Sequence, residues 1–517
     1  MRRRGSRALA ALLAALALAV SGCTGNAGTS EGPPPGSGGE ARIVLGVDAV
    51  RGLDPAHLFN LTPSGDANRM AAIYGLLFWV DSATGEVHPQ LGKSLTSNEA
   101  GDEWLMTLRE DVEFTDGTPL NAEAVKFNYD RIKDPDTASP LADMLDGATV
   151  STDGEYRVKL SLDEPNLAFD TIIATSLAFI ASPTAIRNDP DFANNPVGAG
   201  PFKLDEWIRD YRMTLVRNKD YFRTDRPYLD QVTYLTLRDP LQRSNMVATG
   251  QADAAVPGSE LSFIDVAESD GMRVASAGTG GGVMLMLNTA QAPFDDLRAR
   301  RAIQLAINTD DMASVIDPGS SAPSSLYGPD SRYYTEGTLT AGDREQAENL
   351  FDELAEEDGP VTFTVSVPSS GLFVRSAEYL QSRLGEFDGV RVEIEILDNA
   401  SLDQKVFSER DFQLSVQIVH VSNPEPNLAK LLATDGQTNY MGYSNPEVDQ
   451  ALEDGRTATS DDERLRAYNT VEELVAEEVP VLPVRQQMPY TIHSPDLEGL
   501  VLQGDGSLLY DRLQVSR

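Results

Sequence analysis

The chain has 517 residues, 42 Lys and Arg against 80 Asp and Glu, a formal net charge of −38, four His and one Cys. Its length predicts about three domains at roughly 150 residues each, and its 41% hydrophobic and 24% charged residues are ordinary globular composition. So acidic a surface repels a phosphate backbone and excludes nucleic acid as a partner, while one Cys and four scattered His exclude a disulfide framework and a local zinc motif.

The first forty residues read as an address. Met1 to Arg7 is a basic stretch, and Ala8 to Val20 is an apolar run too short for the ~30 Å hydrocarbon core and suited to a signal peptide. It ends in Val20-Ser21-Gly22-Cys23, small residues before the only Cys of the chain. This resembles a bacterial lipobox, in which Cys23 takes a thioether-linked lipid and becomes the mature N-terminus. A plain secretory signal with an incidental Cys is the alternative. Residues 24–40 are mostly Gly, Pro, Ser and Thr; with so little to bury, they are predicted to form a disordered tether reaching about 20–25 Å. No later apolar run is long enough to span a membrane, so a soluble body is expected.

That body alternates strands and helices. Ile43 to Val50 reads as a first strand, followed by Leu53-Asp54-Pro55 and a helix with Met70, Ile73 and Leu77 on one face. Trp104, Met106 and Leu108, then Val112 and Phe114, alternate with polar residues as a half-buried antiparallel pair would, with Asp116-Gly117 as a turn. Asn121 is a candidate N-cap for a helix striped by Val125, Tyr129 and Ile132 and stopped at Asp134-Pro135. Met213 to Val216 and Val232 to Leu237 are further strands, and Asp295-Asp296 caps a helix carrying Leu297, Ile303 and Leu305. Residues 343–397 run helix, strand (Val361 to Val367), helix, strand (Val390 to Leu397). This predicts a βαβ unit with a parallel pair, to which Leu414 to Val419 adds a strand. Helices at Pro446 to Gly455 and Asp461 to Glu478 precede an extended run from Val481 to Ile492.

Several blocks, in order, resemble the family 5 extracytoplasmic solute-binding proteins, the dipeptide, oligopeptide and nickel receptors of ABC importers. They are Leu53-Asp54-Pro55-Ala56; His88-Pro89-Gln90-Leu91 with Trp104 to Arg109 and Val112 to Val125; Pro196-Val197-Gly198-Ala199-Gly200-Pro201-Phe202 with Arg217 to Phe222; Gly250-Gln251-Ala252-Asp253; Asn288 to Ile307; Gly442 to Asp449; and Glu478 to Pro483. Most of these residues read as structural. Gly198, Gly200 and Pro201 are expected to shape a turn entering a strand, and Arg298 and Arg301 to cap or pair on a solvated helix face.

The resemblance implies an α/β, bilobal, periplasmic-binding-protein-like type II fold with an additional small inserted domain. The implied boundaries are a signal peptide at 1–22, lipidated Cys23 and linker to 40, an N-terminal lobe of 41–74, 195–285 and 486–517, an inserted subdomain at 75–194 and a C-terminal ligand-binding lobe at 286–485. Crossings near Leu287-Asn288 and Val484-Arg485 would form the hinge. The implied partners are a peptide or peptide-like solute, the transmembrane subunits of an ABC permease, and the membrane through Cys23. A lipid-anchored monomer on the extracytoplasmic face, without a cofactor or bound metal, is expected.

The resemblance also places ligand-binding candidates. Phe59 and Leu61 would form one wall, and Leu285 with Asn288 another. In the C-terminal lobe, alignment on Asn423-Pro424 puts His420 where peptide receptors carry an Asp for the ligand α-ammonium, and Gln417 where an aromatic residue is common. A neutral imidazole offers one acceptor and no countercharge. The ligand then either lacks a free α-amine or meets another carboxylate, Glu425 or Asp398. A nickel-chelate receptor of the same fold is the alternative within the family. A surface-anchored hydrolase or a signalling lipoprotein is the alternative outside it, although the sequence lacks a Gly-x-Ser-x-Gly motif, a P-loop and a dinucleotide fingerprint.

Overall fold

The computed structural model describes residues 38–516 apart from 59–64, 83, 257–259, 278–279, 330, 338, 340–341, 422–423 and 487. The leader, Cys23 and most of the tether lie outside the described residues. The rest is α/β and is organised by two large mixed sheets and a smaller antiparallel one.

The first large sheet has the order Arg273–Ser276, Tyr490–His493, Ala254–Ala255, Glu40–Leu45, Gln231–Thr236, Arg212–Arg217, Phe202–Ile208. Its centre is parallel: Glu40–Leu45 pairs with Gln231–Thr236 on one side and Ala254–Ala255 on the other. The second has the order Val390–Leu397, Val361–Pro368, Leu414–His420, Gly281–Leu287, Val481–Gln486. The predicted βαβ unit sits at its edge, where Val361–Pro368 and Val390–Leu397 pair in parallel across the helix Gly371–Leu384. Leu414–His420 joins them as the third parallel strand. Both faces of this sheet are covered, as parallel sheets require. Val283, Leu285 and Leu287 enter one core with the helices Leu297–Ala306 and Gly371–Leu384. Met284 and Met286 enter another with Tyr468, Val471 and Val475 of the helix Asp461–Glu478.

Residues 92–162 contain the four-stranded antiparallel sheet Gly92–Ser97, Glu103–Leu108, Arg157–Leu162, Ala148–Thr152. Trp104, Met106 and Leu108 face inward, as their alternation predicts. Their partners are Gly92–Ser97 and Arg157–Leu162 rather than Val112 and Phe114. Residues 112–120 fold back on themselves: the Phe114 amide donates to the Thr118 carbonyl at 2.8 Å and that of Leu120 to Val112 at 2.9 Å. Val112 and Phe114 are buried all the same. The helix Ala122–Lys133 begins at Asn121, whose side chain accepts from the Ala124 amide, and stops at Asp134 before Pro135. It buries Val125, Tyr129 and Ile132.

Gly281–Leu287 pairs along its whole length with Leu414–His420 and also with Val481–Gln486. Arg273–Ser276 thus belongs to the first sheet and Gly281–Leu287 to the second. The return to the first sheet falls between Gln486 and Tyr490. Gly198 and Gly200 have no positive φ; they allow two backbones to touch. A Cβ on Gly198 would lie 2.3 Å from the Ile73 carbonyl oxygen, and one on Gly200 2.6 Å from that of Ala72. The Gly200 amide donates to Ile73 O at 2.9 Å, which docks this segment on the end of the helix Ala67–Tyr74.

Candidate functional site

Open parallel sheets bind ligands beyond the carboxyl ends of their strands. After Glu40–Leu45 the chain enters a loop fixed by Asp48, which accepts from Trp207 Nε1 at 3.1 Å and the Asp210 amide at 2.8 Å. Arg69, fully buried, donates to the Val47 carbonyl at 2.8 Å and approaches Asp48 at 3.8 Å. So held, the loop leaves Val50 86% exposed, and Tyr211 on the neighbouring hairpin is also exposed. Asp54 then caps the short turn Pro55–His57 through the Ala56 amide and receives both terminal nitrogens of Arg131 from the inserted subdomain. Burial alone raises the Asp54 pKa, and the bonds and charge of Arg131 outweigh it, so the carboxyl sits below its ordinary value. On the second sheet, Ile396 and Ile418 are left exposed near the carboxyl ends of their strands.

The expected ligand residues divide. Phe59, Leu61 and Asn423 lie outside the described residues. His420 ends its strand opposite Gly281, and Gln417 lies half-buried opposite Met284, with its side-chain amide donating to Ser415 Oγ at 2.8 Å. Leu285 is buried in the core. Asn288 is 2% exposed and donates to the carbonyls of Arg410 and Phe412 at 3.1 and 2.8 Å while accepting from the Ala290 amide. Asp398 is exposed and N-caps a helical turn, accepting from the Ser401 amide and hydroxyl, bonds that lower its pKa.

Glu425 is in a different position. Beyond His420 the chain turns into Pro424–Leu428, and this segment with Ala429–Leu432 forms one wall of a cavity of about 610 Å³. The opposite wall comes from the inserted subdomain: Met144, Leu162, Asn166, Phe169 and Ile172. That volume suits a small organic solute. Arg456 latches the two walls. It donates to the Pro165 carbonyl at 2.7 Å and Glu164 at 3.1 Å while remaining paired to Glu453, and its carbonyl accepts from the Leu167 amide at 3.0 Å.

The cavity rim is acidic, with Asp143, Asp146, Asp163, Glu164 and Asp435, and contains one Lys, Lys430. Glu425 is 6% exposed and accepts from the Tyr468 hydroxyl at 3.5 Å. Desolvation pushes its pKa up to about 7, against the pull of Arg456 and Tyr468. Desolvation also lowers the Lys430 pKa, opposed by Asp143. Sequence reasoning reached Glu425 only as a substitute countercharge and missed Lys430, Phe169 and Arg456. Those belong to segments far apart in the chain, and no local pattern announces that they meet. Among the described residues, no group of three or more His, Cys, Asp or Glu side chains is arranged to hold a metal ion, and no helix is long and apolar enough to cross a membrane.

Comparison with known proteins is consistent along the chain. Residues 86–439 match the profile of the bacterial extracellular solute-binding proteins, family 5 Middle. The glutathione-binding protein GsiB of Salmonella typhimurium is 26% identical over 453 residues, covering 85% of this chain and 88% of that protein. The ABC transporter substrate binding protein CtaP of Listeria monocytogenes superposes with a TM-score of 0.80 at 21% identity, over 93% of this chain and all of its own. The oligopeptide-binding protein AppA of Bacillus subtilis, solved in complex with a nonapeptide, does so with a TM-score of 0.78 at 19% identity and the same coverage.

Proposed function

Because this chain belongs to the bacterial extracellular solute-binding proteins of family 5, we propose that it captures a peptide or peptide-like solute between its two lobes and delivers it to the permease of an ABC importer. What supports this reading is the family membership together with the relatives named for peptide ligands. The cavity lined by residues of 143–172 and by the segment following Leu414–His420 is a candidate seat for a solute; it lies beside the second sheet and not between the two large sheets. Its walls come from distant parts of the chain, so a guest touching both favours the arrangement that brings them together. The relatives point to the ligand class: GsiB is named for glutathione and AppA holds a nonapeptide.

In this reading the first lobe comprises the seven-stranded sheet, the second the five-stranded sheet, and the protein binds without chemistry, as a monomer. The lipid on Cys23 keeps it at the extracytoplasmic face. Candidate peptides mixed with the protein are expected to raise its melting temperature and to be recovered intact by mass spectrometry. Recovery of cleaved peptide would instead support a hydrolase. A screen of di- to pentapeptides and glutathione without any melting shift would defeat the transport role. Cys23→Ser is expected to leave the precursor uncleaved or release the protein into the medium; normal processing and unchanged membrane retention would defeat the anchor.

A further inference from the structure

The apolar cores divide the chain more sharply than its sheets do. Ile43, Leu215 and Tyr234 of the seven-stranded sheet share one continuous core with Trp104, Met106 and Val125 of residues 75–194. The cores on the two faces of the five-stranded sheet draw their buried residues from 283–484 alone. Polar contacts repeat the division. Arg131 reaches Asp54 with both terminal nitrogens, and the two side chains are 19% and 7% exposed. Toward the body of the second sheet, residues 164–167 are held through Arg456. Its guanidinium donates to the Pro165 carbonyl and to Glu164, and its carbonyl accepts from the Leu167 amide.

The two attachments differ in what separation costs. Pulling residues 75–194 off the first sheet would open a core and strand the Asp54–Arg131 pair. Releasing Arg456 strands no charge. It keeps Glu453, three residues away on its own helix, and Glu164 is already 79% exposed.

We propose that residues 75–194 travel with the first sheet and that Arg456 is a releasable latch holding them against the second lobe, so that the ligand-free protein rests with this joint shut. The proposal rests on the two-lobe solute-binding reading above and gives Arg456 a positioning role: it sets how often the cavity walls meet, whatever the guest. Charge-assisted contacts of this kind shift such an equilibrium about five- to tenfold. A guest that needs both walls binds the shut form, so its apparent affinity falls with the shut fraction.

The test compares the full mature protein with its Arg456→Met and Glu164→Ala variants. Without ligand, small-angle scattering is expected to show a larger radius of gyration in Arg456→Met and a smaller increase in Glu164→Ala. Amide hydrogen exchange should quicken at residues 166–172 and 424–432 and stay at the wild-type rate through Trp104 to Leu108. The peptide giving the largest melting shift in the screen above should bind about two- to tenfold more weakly, through faster dissociation, and at saturation restore the wild-type scattering profile.

An unchanged ligand-free profile in Arg456→Met overturns the latch. Exchange that quickens equally at Trp104 to Leu108 overturns the shared motion with the first sheet. If Arg456→Met fails to fold, Glu164→Ala decides by the same readings, since it alters an exposed side chain. The scattering and exchange measurements need no ligand, so they judge the latch even where peptide capture fails. Normal capture with a wild-type profile in both variants overturns the latch and leaves capture standing.

Discussion

Glu425 is a carboxylic acid held where its ionised form is poorly solvated, and this has a measurable consequence without ligand. Below about pH 4.5 it is neutral in folded and unfolded chains alike. As pH rises, the unfolded chain ionises first, while the folded one holds its proton until about pH 7. The folded state is therefore penalised progressively over that interval and by a constant amount above it, up to about 3 kcal/mol at 1.36 kcal/mol per unit. Glu425→Gln is expected to raise the melting temperature of the ligand-free protein at pH 8 and leave it nearly unchanged at pH 4.5. Equal effects at the two pH values would show that the carboxylate is solvated. Asp54 has the opposite sign. Its pKa is depressed by Arg131, so its stabilisation is present above about pH 4 and lost as pH falls through the lower, folded value. Asp54→Asn should cost about 2–4 kcal/mol at pH 7, because Arg131 would be left half-buried without its carboxylate. Urea denaturation checks this.

At the scale of elements, the sequence was most informative where a local rule determines the outcome. Asn121 and Asp134-Pro135 bracket the helix Ala122–Lys133, and the 343–397 pattern gave the parallel pair together with its connecting helix. It was least informative where identity and role separate. Gly198 and Gly200 help to mark the family, yet nothing local reveals that their missing side chains make room for the carbonyls of Ile73 and Ala72. Gly198→Ala is expected to destabilise by about 2–3 kcal/mol, since a rigid carbonyl rather than a flexible side chain stands in the way. An effect below 0.5 kcal/mol would mean the two segments separate easily. Val112 and Phe114 alternate like a strand but belong to a short fold-back, where burial alone selected them. Arg300 and Arg301 act beyond their own helix: they donate to the Glu478 and Glu477 carbonyls at 2.7 and 2.9 Å, closing the end of the helix Asp461–Glu478. Arg298, as its helix-face reading requires, pairs with Asp296 and Glu357.

At the scale of the molecule, a buried ion pair ties the second sheet to the segment that precedes Arg273–Ser276. Arg485 Nε and Nη2 each lie 2.8 Å from Asp317 Oδ2, both residues are 1% exposed, and the same oxygen accepts from the Leu261 amide at 3.0 Å. Leu261 N-caps the helix Ser262–Ser269, and Arg485 lies in the second sheet, so one carboxylate contacts both. Asp317→Asn is expected to cost about 3 kcal/mol. In the proposed reading it should also broaden the small-angle scattering profile of the ligand-free protein. A stability loss with an unchanged profile would confine the pair to local packing. Neither sheet order nor this pairing could be read from the sequence, since Asp317 and Arg485 stand in no motif and meet only through the fold.

Gly281–Leu287, the first strand after the chain leaves the first sheet, and Val481–Gln486, the last before it returns, are neighbours in the second, with Gly282 opposite Gln486 and Val283 opposite Arg485. Two tethers laminated in this way cannot slide independently. Twisting one body against the other would shear their shared ladder, whereas flexing both together leaves it intact. In the proposed two-lobe reading, such a connection favours a clamshell swing about a single axis over rotation.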